Sequence, residues 1–123
     1  MTPLTKIWSF CGRIGRADYF FGFIFNIIVG AATFALAFVL LQSVLGMPQP
    51  EPEARWVYVV IFGFGLFFFF WLHLALSAKR FHDLGRSGWF VLILLVPILG
   101  TLVWLYLLFA RGEDGDNDYG PAR

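Results

Sequence analysis

Between Tyr19 and Leu45 the chain carries no charged side chain, and this stretch limits what the sequence can fold into more than any other. A helix needs about 20 apolar residues to cross a hydrocarbon core roughly 30 Å thick, and this run is longer. It predicts a first transmembrane helix over 19–45. A cleavable signal peptide fits less well, because its apolar region is only about 7 to 15 residues long and its polar lead is shorter. A second run, Trp56 to Ala78, is free of charge apart from His73 and predicts a second crossing, with Trp56 and Tyr58 placed like an aromatic belt at its entry. Composition agrees, since 59% of the 123 residues are hydrophobic and 14% charged, where a soluble domain carries about 25% charged residues. The net charge of +1 and the scattered basic groups argue against nucleic acid as a partner.

The remaining segments fill in a single membrane domain over 1–123. Leu4, Ile7, Trp8 and Cys11 recur at helical spacing, so residues 1–18 read as a short N-terminal interfacial helix, with Gly12 and Gly15 turning the chain into the membrane. In helix 19–45 the residues Asn26, Gly30, Thr33 and Ala37 share one face, which should pack inward because small residues let helices approach closely and a buried amide needs a partner. Three prolines make 46–55 a loop. The Phe67 to Trp71 run is lipid-facing or packing bulk; an aromatic ligand cage is disfavoured because consecutive helical side chains diverge.

Residues 89–110 form a third apolar stretch interrupted at Pro97-Ile98-Leu99-Gly100. A single kinked transmembrane helix is favoured over a re-entrant hairpin, since irregular backbone at membrane depth must be shielded by protein. The expected fold is therefore all-α, with three transmembrane helices. The acidic tail 111–123 places Asp114, Asp116 and Asp118 like the first ligands of an EF-hand loop, but Tyr119 stands where that loop needs glycine, so a solvated tail with a turn at Tyr119-Gly120-Pro121 is expected.

The polar loop 79–88 gathers Lys79, Arg80, His82, Asp83 and Arg86 between two apolar runs. His82 beside Asp83 is the one dyad that chemistry would need, an imidazole oriented by a carboxylate. The structural reading is favoured over it: Asp83 lies between Arg80 and Arg86 and serves as their counter-ion. Phosphate-loop, nucleophile-elbow and zinc-protease motifs are absent. With one cysteine and two histidines, no disulfide, metal or other cofactor is expected, and no catalytic residue is assigned. Arg13, Arg16 and Asp18 are expected to join Arg80, His82, Asp83 and Arg86 in one cluster at the membrane surface, because a carboxylate at that depth is costly without a guanidinium. Asn26 and His73 lie at similar depth and are expected to form an intramembrane polar pair.

These residues also carry a resemblance. The entry Gly12-Arg13-Ile14-Gly15-Arg16-Ala17-Asp18-Tyr19, the loop Lys79-Arg80-Phe81-His82-Asp83-Leu84-Gly85-Arg86-Ser87-Gly88-Trp89, the break at Pro97 to Gly100 and the tail with Asn117, Tyr119 and Gly120 resemble the domain of unknown function 805 family across nearly the whole chain. That family's loop is similar to Arg-Arg-Leu-His-Asp-x-Gly-Arg-Ser-Gly-Trp; here Lys79 replaces the first Arg and Phe81 the Leu. The resemblance implies a small bacterial inner-membrane protein and names no activity.

Three functional classes follow. The first is a non-enzymatic structural or regulatory component whose polar loop docks a membrane-protein partner or a second copy. The second is an accessory for anionic lipid, with Arg13, Arg16, Lys79, Arg80 and Arg86 on headgroup phosphates. The third and least favoured is a membrane-surface enzyme using His82 and Asp83. Positive charge favours a cytoplasmic N-terminus and polar loop two to one, with residues 46–55 and the tail outside.

Overall fold

The computed structural model describes residues 8–45 and 55–121. Among the described residues four helices follow one another: α1 (Arg16–Leu45), α2 (Arg55–Asp83), a 3-10 helix (Gly88–Leu95) and α3 (Pro97–Phe109). Among the described residues there is no strand, only an isolated bridge between Asn117 and Gly120.

The start of α1 is set by Gly15, whose carbonyl accepts the Tyr19 N–H at 2.9 Å, and Asp18 in the first turn faces the positive end of the helix dipole. At about 1.5 Å per residue its 30 residues reach about 45 Å. α2 runs antiparallel beside it, and the contacts are small residue against large. A side chain at Gly22 would press on Leu76, one at Gly30 on Phe69 and one at Gly65 on Phe34. The face bearing Asn26, Gly30, Thr33 and Ala37 lines the groove between the two helices. Both α1 and α2 are long and apolar enough to cross a membrane, and only 11% and 17% of their most apolar windows are buried, so neither is the core helix of a soluble domain.

The end of α2 lies later than the polar loop 79–88 suggests, because Lys79 to Asp83 form its last turn. Gly85, at φ +67°, terminates it. Arg86 N–H reaches back to Phe81 O at 2.9 Å and Gly85 N–H to His82 O at 3.0 Å, the paired bonds of a Schellman motif. Only four residues separate α2 from the next helix.

The expected single kinked helix over 89–110 is not what forms. Gly88–Leu95 is a 3-10 helix whose N-cap, Ser87, accepts from the Trp89 N–H, and Val96 is extended before Pro97 opens α3 at N1. The two arms fold back on each other at Gly100, where an added Cβ would lie 2.5 Å from Leu94 O. Only glycine admits that approach. A proline kink would have left the arms in line; an extended residue, a restart at Pro97 and a glycine contact reverse the chain. α3, 13 residues long, spans only about 20 Å.

Four elements therefore meet in one half of the molecule, and the apolar core lies there: Tyr19, Leu72, Leu76, Ala78, Phe81, Val91 and Leu107. The other half is α1 against α2, with Trp8 lining the groove between them and an aromatic rim of exposed Phe67, Phe68 and Phe70. The expected interfacial helix over 1–18 lies partly outside the described residues, and from Ser9 to Gly15 the chain is irregular. Trp8 packs edge-on against Phe68 and accepts at its carbonyl from Trp71 Nε1, below the polar end of α2. The loop expected over 46–55 lies outside the described residues, apart from Arg55, which opens α2.

Candidate functional site

Among the described residues Arg80 and Asp83 are a fully buried charged pair, three apart on the last turn of α2 and ion-paired through Arg80 Nη1 and Asp83 Oδ2. Asp83 Oδ1 accepts from Arg13 Nε at 3.2 Å, so one carboxylate serves two guanidinium groups. One negative charge between two positive ones leaves an excess that carbonyl dipoles absorb. Arg80 Nε donates to Leu107 O at 2.9 Å, Nη1 to Ile14 O at 3.4 Å and Nη2 to Ala110 O. Leu107 and Ala110 sit at the C-terminal end of α3, where helix carbonyls lack intrahelical donors and the dipole is negative. Arg80 thus caps α3 from a neighbouring helix, and Arg16 adds a bond to Phe109 O at 3.5 Å.

Arg13 does the same for the tail. Its Nη1 donates to Gly115 O at 2.6 Å, Gly120 O at 3.3 Å and Pro121 O at 3.4 Å, and its Nη2 to Glu113 O at 2.7 Å. The tail in turn satisfies the last carbonyls of α2: Glu113 N–H bonds Asp83 O at 2.8 Å and Asn117 Nδ2 bonds His82 O at 2.9 Å. The tail expected to be solvated is docked, because the end of α2 needs donors that the Glu113 N–H and the Asn117 amide supply, and Arg13 needs acceptors that the tail carbonyls supply. It also lies at the same end of the bundle as the N-terminal turn and the 79–88 segment, so the expectation of a tail on the opposite face is overturned.

His82 and Asp83 do not form a dyad. Neighbours on a helix point about 100° apart, and each has found other company. The His82 ring stacks on Tyr119 at 4.2 Å with an interplanar angle of 3°, and its Nδ1 lies 3.1 Å from Gly12 O. His82 and Tyr119 both line a cavity of about 510 Å³ together with Phe10, Cys11, Ala78, Ser87, Val91 and Leu92.

The structure brings Arg13, Arg80 and Asp83 together, with His82 alongside. Arg16, Asp18 and Arg86 stay exposed, and among the described residues Asp18 and Arg86 make no ion pair. Asn26 and His73 are not a pair. Asn26 donates to Phe69 O at 3.2 Å and lines the α1–α2 groove, whereas His73 opens toward Phe23 and Trp104 on the hairpin side. Tyr119, Asn117 and the buried Tyr19–Ser77 hydroxyl contact at 3.0 Å complete the assembly. Periodicity does not signal them, because their partners are 35 to 58 residues away.

No group of three or more His, Cys, Asp or Glu side chains suited to a metal ion occurs among the described residues. The arrangement is a capping network that binds three chain segments into one unit.

The chain is similar to the inner membrane protein YhaI of Escherichia coli K12, at 32% identity over 98% of this chain and 90% of the relative. It is also similar to the inner membrane protein YhaH of the same strain, at 33% identity over 92% and 85%. No solved structure matches. A family model described as a protein of unknown function matches residues 7–121, which takes in the arginine entry, the capped helix end, the hairpin and the docked tail, and the chain belongs to that family of membrane proteins, DUF805.

Proposed function

We propose that this protein is a non-enzymatic inner-membrane component. Two crossings and a re-entrant hairpin carry a rigid cytoplasmic cap, built from the N-terminal turn, the end of α2 and the tail, that docks a membrane-protein partner or a second copy. One observation carries this reading: Arg13, Arg80 and Asp83 spend their hydrogen-bonding capacity on one another and on backbone carbonyls. Groups bound in that way hold a shape.

The anionic-lipid reading draws less support. Of the five cations it invokes, Lys79 and Arg80 are buried and Arg13 is committed to the tail, which leaves Arg16 and Arg86. Glu113, Asp114, Asp116 and Asp118, all exposed, would face the phosphates from the same side. The enzyme reading draws less again, since the imidazole and the carboxylate do not meet.

Orientation follows from charge. With the tail on the cap side, chain order puts Arg13, Arg16, Lys79, Arg80, Arg86 and Arg111 at one face and Arg55 at the other. The excess favours a cytoplasmic cap. Both relatives are named inner membrane proteins, which supports that membrane as the location. Reporter fusions test the topology: one at Pro50 should read exterior and one after Arg123 cytoplasmic. An exterior C-terminus would overturn the hairpin and the cap together. Limited proteolysis tests the cap itself, because Asp83→Asn should open residues 111–121 to cleavage in detergent; a tail as protected as in the wild type would refute it.

A further inference from the structure

The network at the cap leaves no role for His73 and Trp104, whose Nδ1 and Nε1 atoms are buried and bond to nothing among the described residues. Both line a cavity of about 220 Å³ below the cap, where Phe23 of α1, His73 of α2, Leu94 of the 3-10 helix and Pro97 and Trp104 of α3 converge. The indole N–H can only donate, and the imidazole Nδ1 donates or accepts according to its tautomer. An oxygen acceptor suits either atom. No charged side chain lines the space, so the group that fits is neutral.

The route by which such a group arrives is set by the layer above. One turn toward the cap from Phe23, His73 and Trp104 lie Tyr19, Ser77 and Leu107, each fully buried, with the Tyr19 and Ser77 hydroxyls bonded to each other. That layer closes the cavity on the cytoplasmic side, so an occupant enters sideways from the bilayer. His73 is six residues before Lys79, about 9 Å below it at 1.5 Å per residue. With an interfacial zone of about 5 to 8 Å on each side, this depth is the top of the hydrocarbon, where acyl esters join chains to headgroups.

We propose that this cavity binds the acyl-ester carbonyl of a membrane glycerolipid, with Trp104 Nε1 as donor and His73 as its second hydrogen-bonding partner. The ester and the first methylenes of its chain fill the space between Phe23, Leu94 and Pro97, and the headgroup stays outside. The site rests on the two-crossing, re-entrant reading above.

The test uses the full chain in nanodiscs of diacyl phosphatidylcholine and of its dialkyl-ether analogue, which lacks the carbonyl. With nitrogen-15-labelled tryptophan, the Trp104 indole resonance, identified by its loss in Trp104→Phe, should stand downfield in the ester lipid and move upfield in the ether lipid. The wild type should also melt at a higher temperature in the ester lipid, and Trp104→Phe should lose that difference. An indole resonance at the same position in both lipids, or one exchanging rapidly with deuterated water, would overturn the site in favour of a dry or a hydrated cavity. Because the resonance is read on the wild type, a variant that fails to fold does not remove the test. If the C-terminal reporter reads cytoplasmic and the lipids do not differ, only the ester site falls; an exterior reporter removes the topology on which it stands.

Discussion

The two halves of this molecule are held together by opposite means. At the cap, two arginines and an aspartate are buried among carbonyls from the N-terminal turn, α3 and the tail, and the bonds are directional. Toward the far face, α1 and α2 meet through Gly30 against Phe69 and Gly65 against Phe34, a fit of shapes. Hydrocarbon explains the division. Between two helices in lipid there is no hydrophobic drive, so packing of small residues and an occasional polar bond decide association. Where backbone leaves regular helix, every N–H and C=O must instead find a named partner. A network of that kind loses heavily when one member goes, whereas a surface of fits spreads the loss.

Asp83→Asn should have the largest effect. It leaves Arg13 and Arg80 without the one carboxylate they share, and breaking a buried ion pair by removing a partner costs about 3 to 5 kcal/mol. Thermal unfolding in detergent reads this, and a change as small as that of an exposed pair would break the comparison between the halves. Gly85→Ala should come next. The residue is held at φ +67° and its new Cβ would overlap the Glu113 carboxylate; the left-handed backbone alone costs about 1 to 2 kcal/mol, and release of the tail to protease should accompany the loss.

In the far half, Asn26→Leu removes the bond to Phe69 O and should cost only about 0.6 kcal/mol, the usual value for one interhelical hydrogen bond in a membrane. A loss near that of Asp83→Asn would mean that the helix pair depends on polar bonds as the cap does. Arg86→Ala should change least, within about 0.5 kcal/mol, since the side chain is exposed. This last variant sharpens the contrast inside the signature loop, where Arg80 and Arg86 look alike in sequence and differ entirely in surroundings.

Much of the fold was legible in the chain. Tyr19 to Leu45 and Trp56 to Ala78 could only be long apolar helices, because a charge-free run of that length has one stable form in hydrocarbon. The inward face of α1 was readable from the 3.6-residue period, and the need of Asp83 for an arginine from the cost of an unpaired carboxylate. What was misread has one cause. Pro97 and Gly100 announce a break, but whether it bends or reverses the chain depends on whether Leu107 and Ala110 find donors, and the donor is Arg80 on another helix. The tail looked solvated by its four acidic side chains, yet it is held by its backbone carbonyls, which composition does not reveal. The counter-ion role favoured for Asp83 over a dyad with His82 could be read from the arginines around it, whereas their place on the last turn of α2 could not. Sequence by itself determined the solvent, the two long helices and the polar end, because those follow from local pattern and transfer energy. The reversal at Pro97, the docking of the tail and the choice of partner for each arginine were decided only in the tertiary structure, because the orphan carbonyls of a helix end are satisfied by whichever distant donor the packing brings within reach.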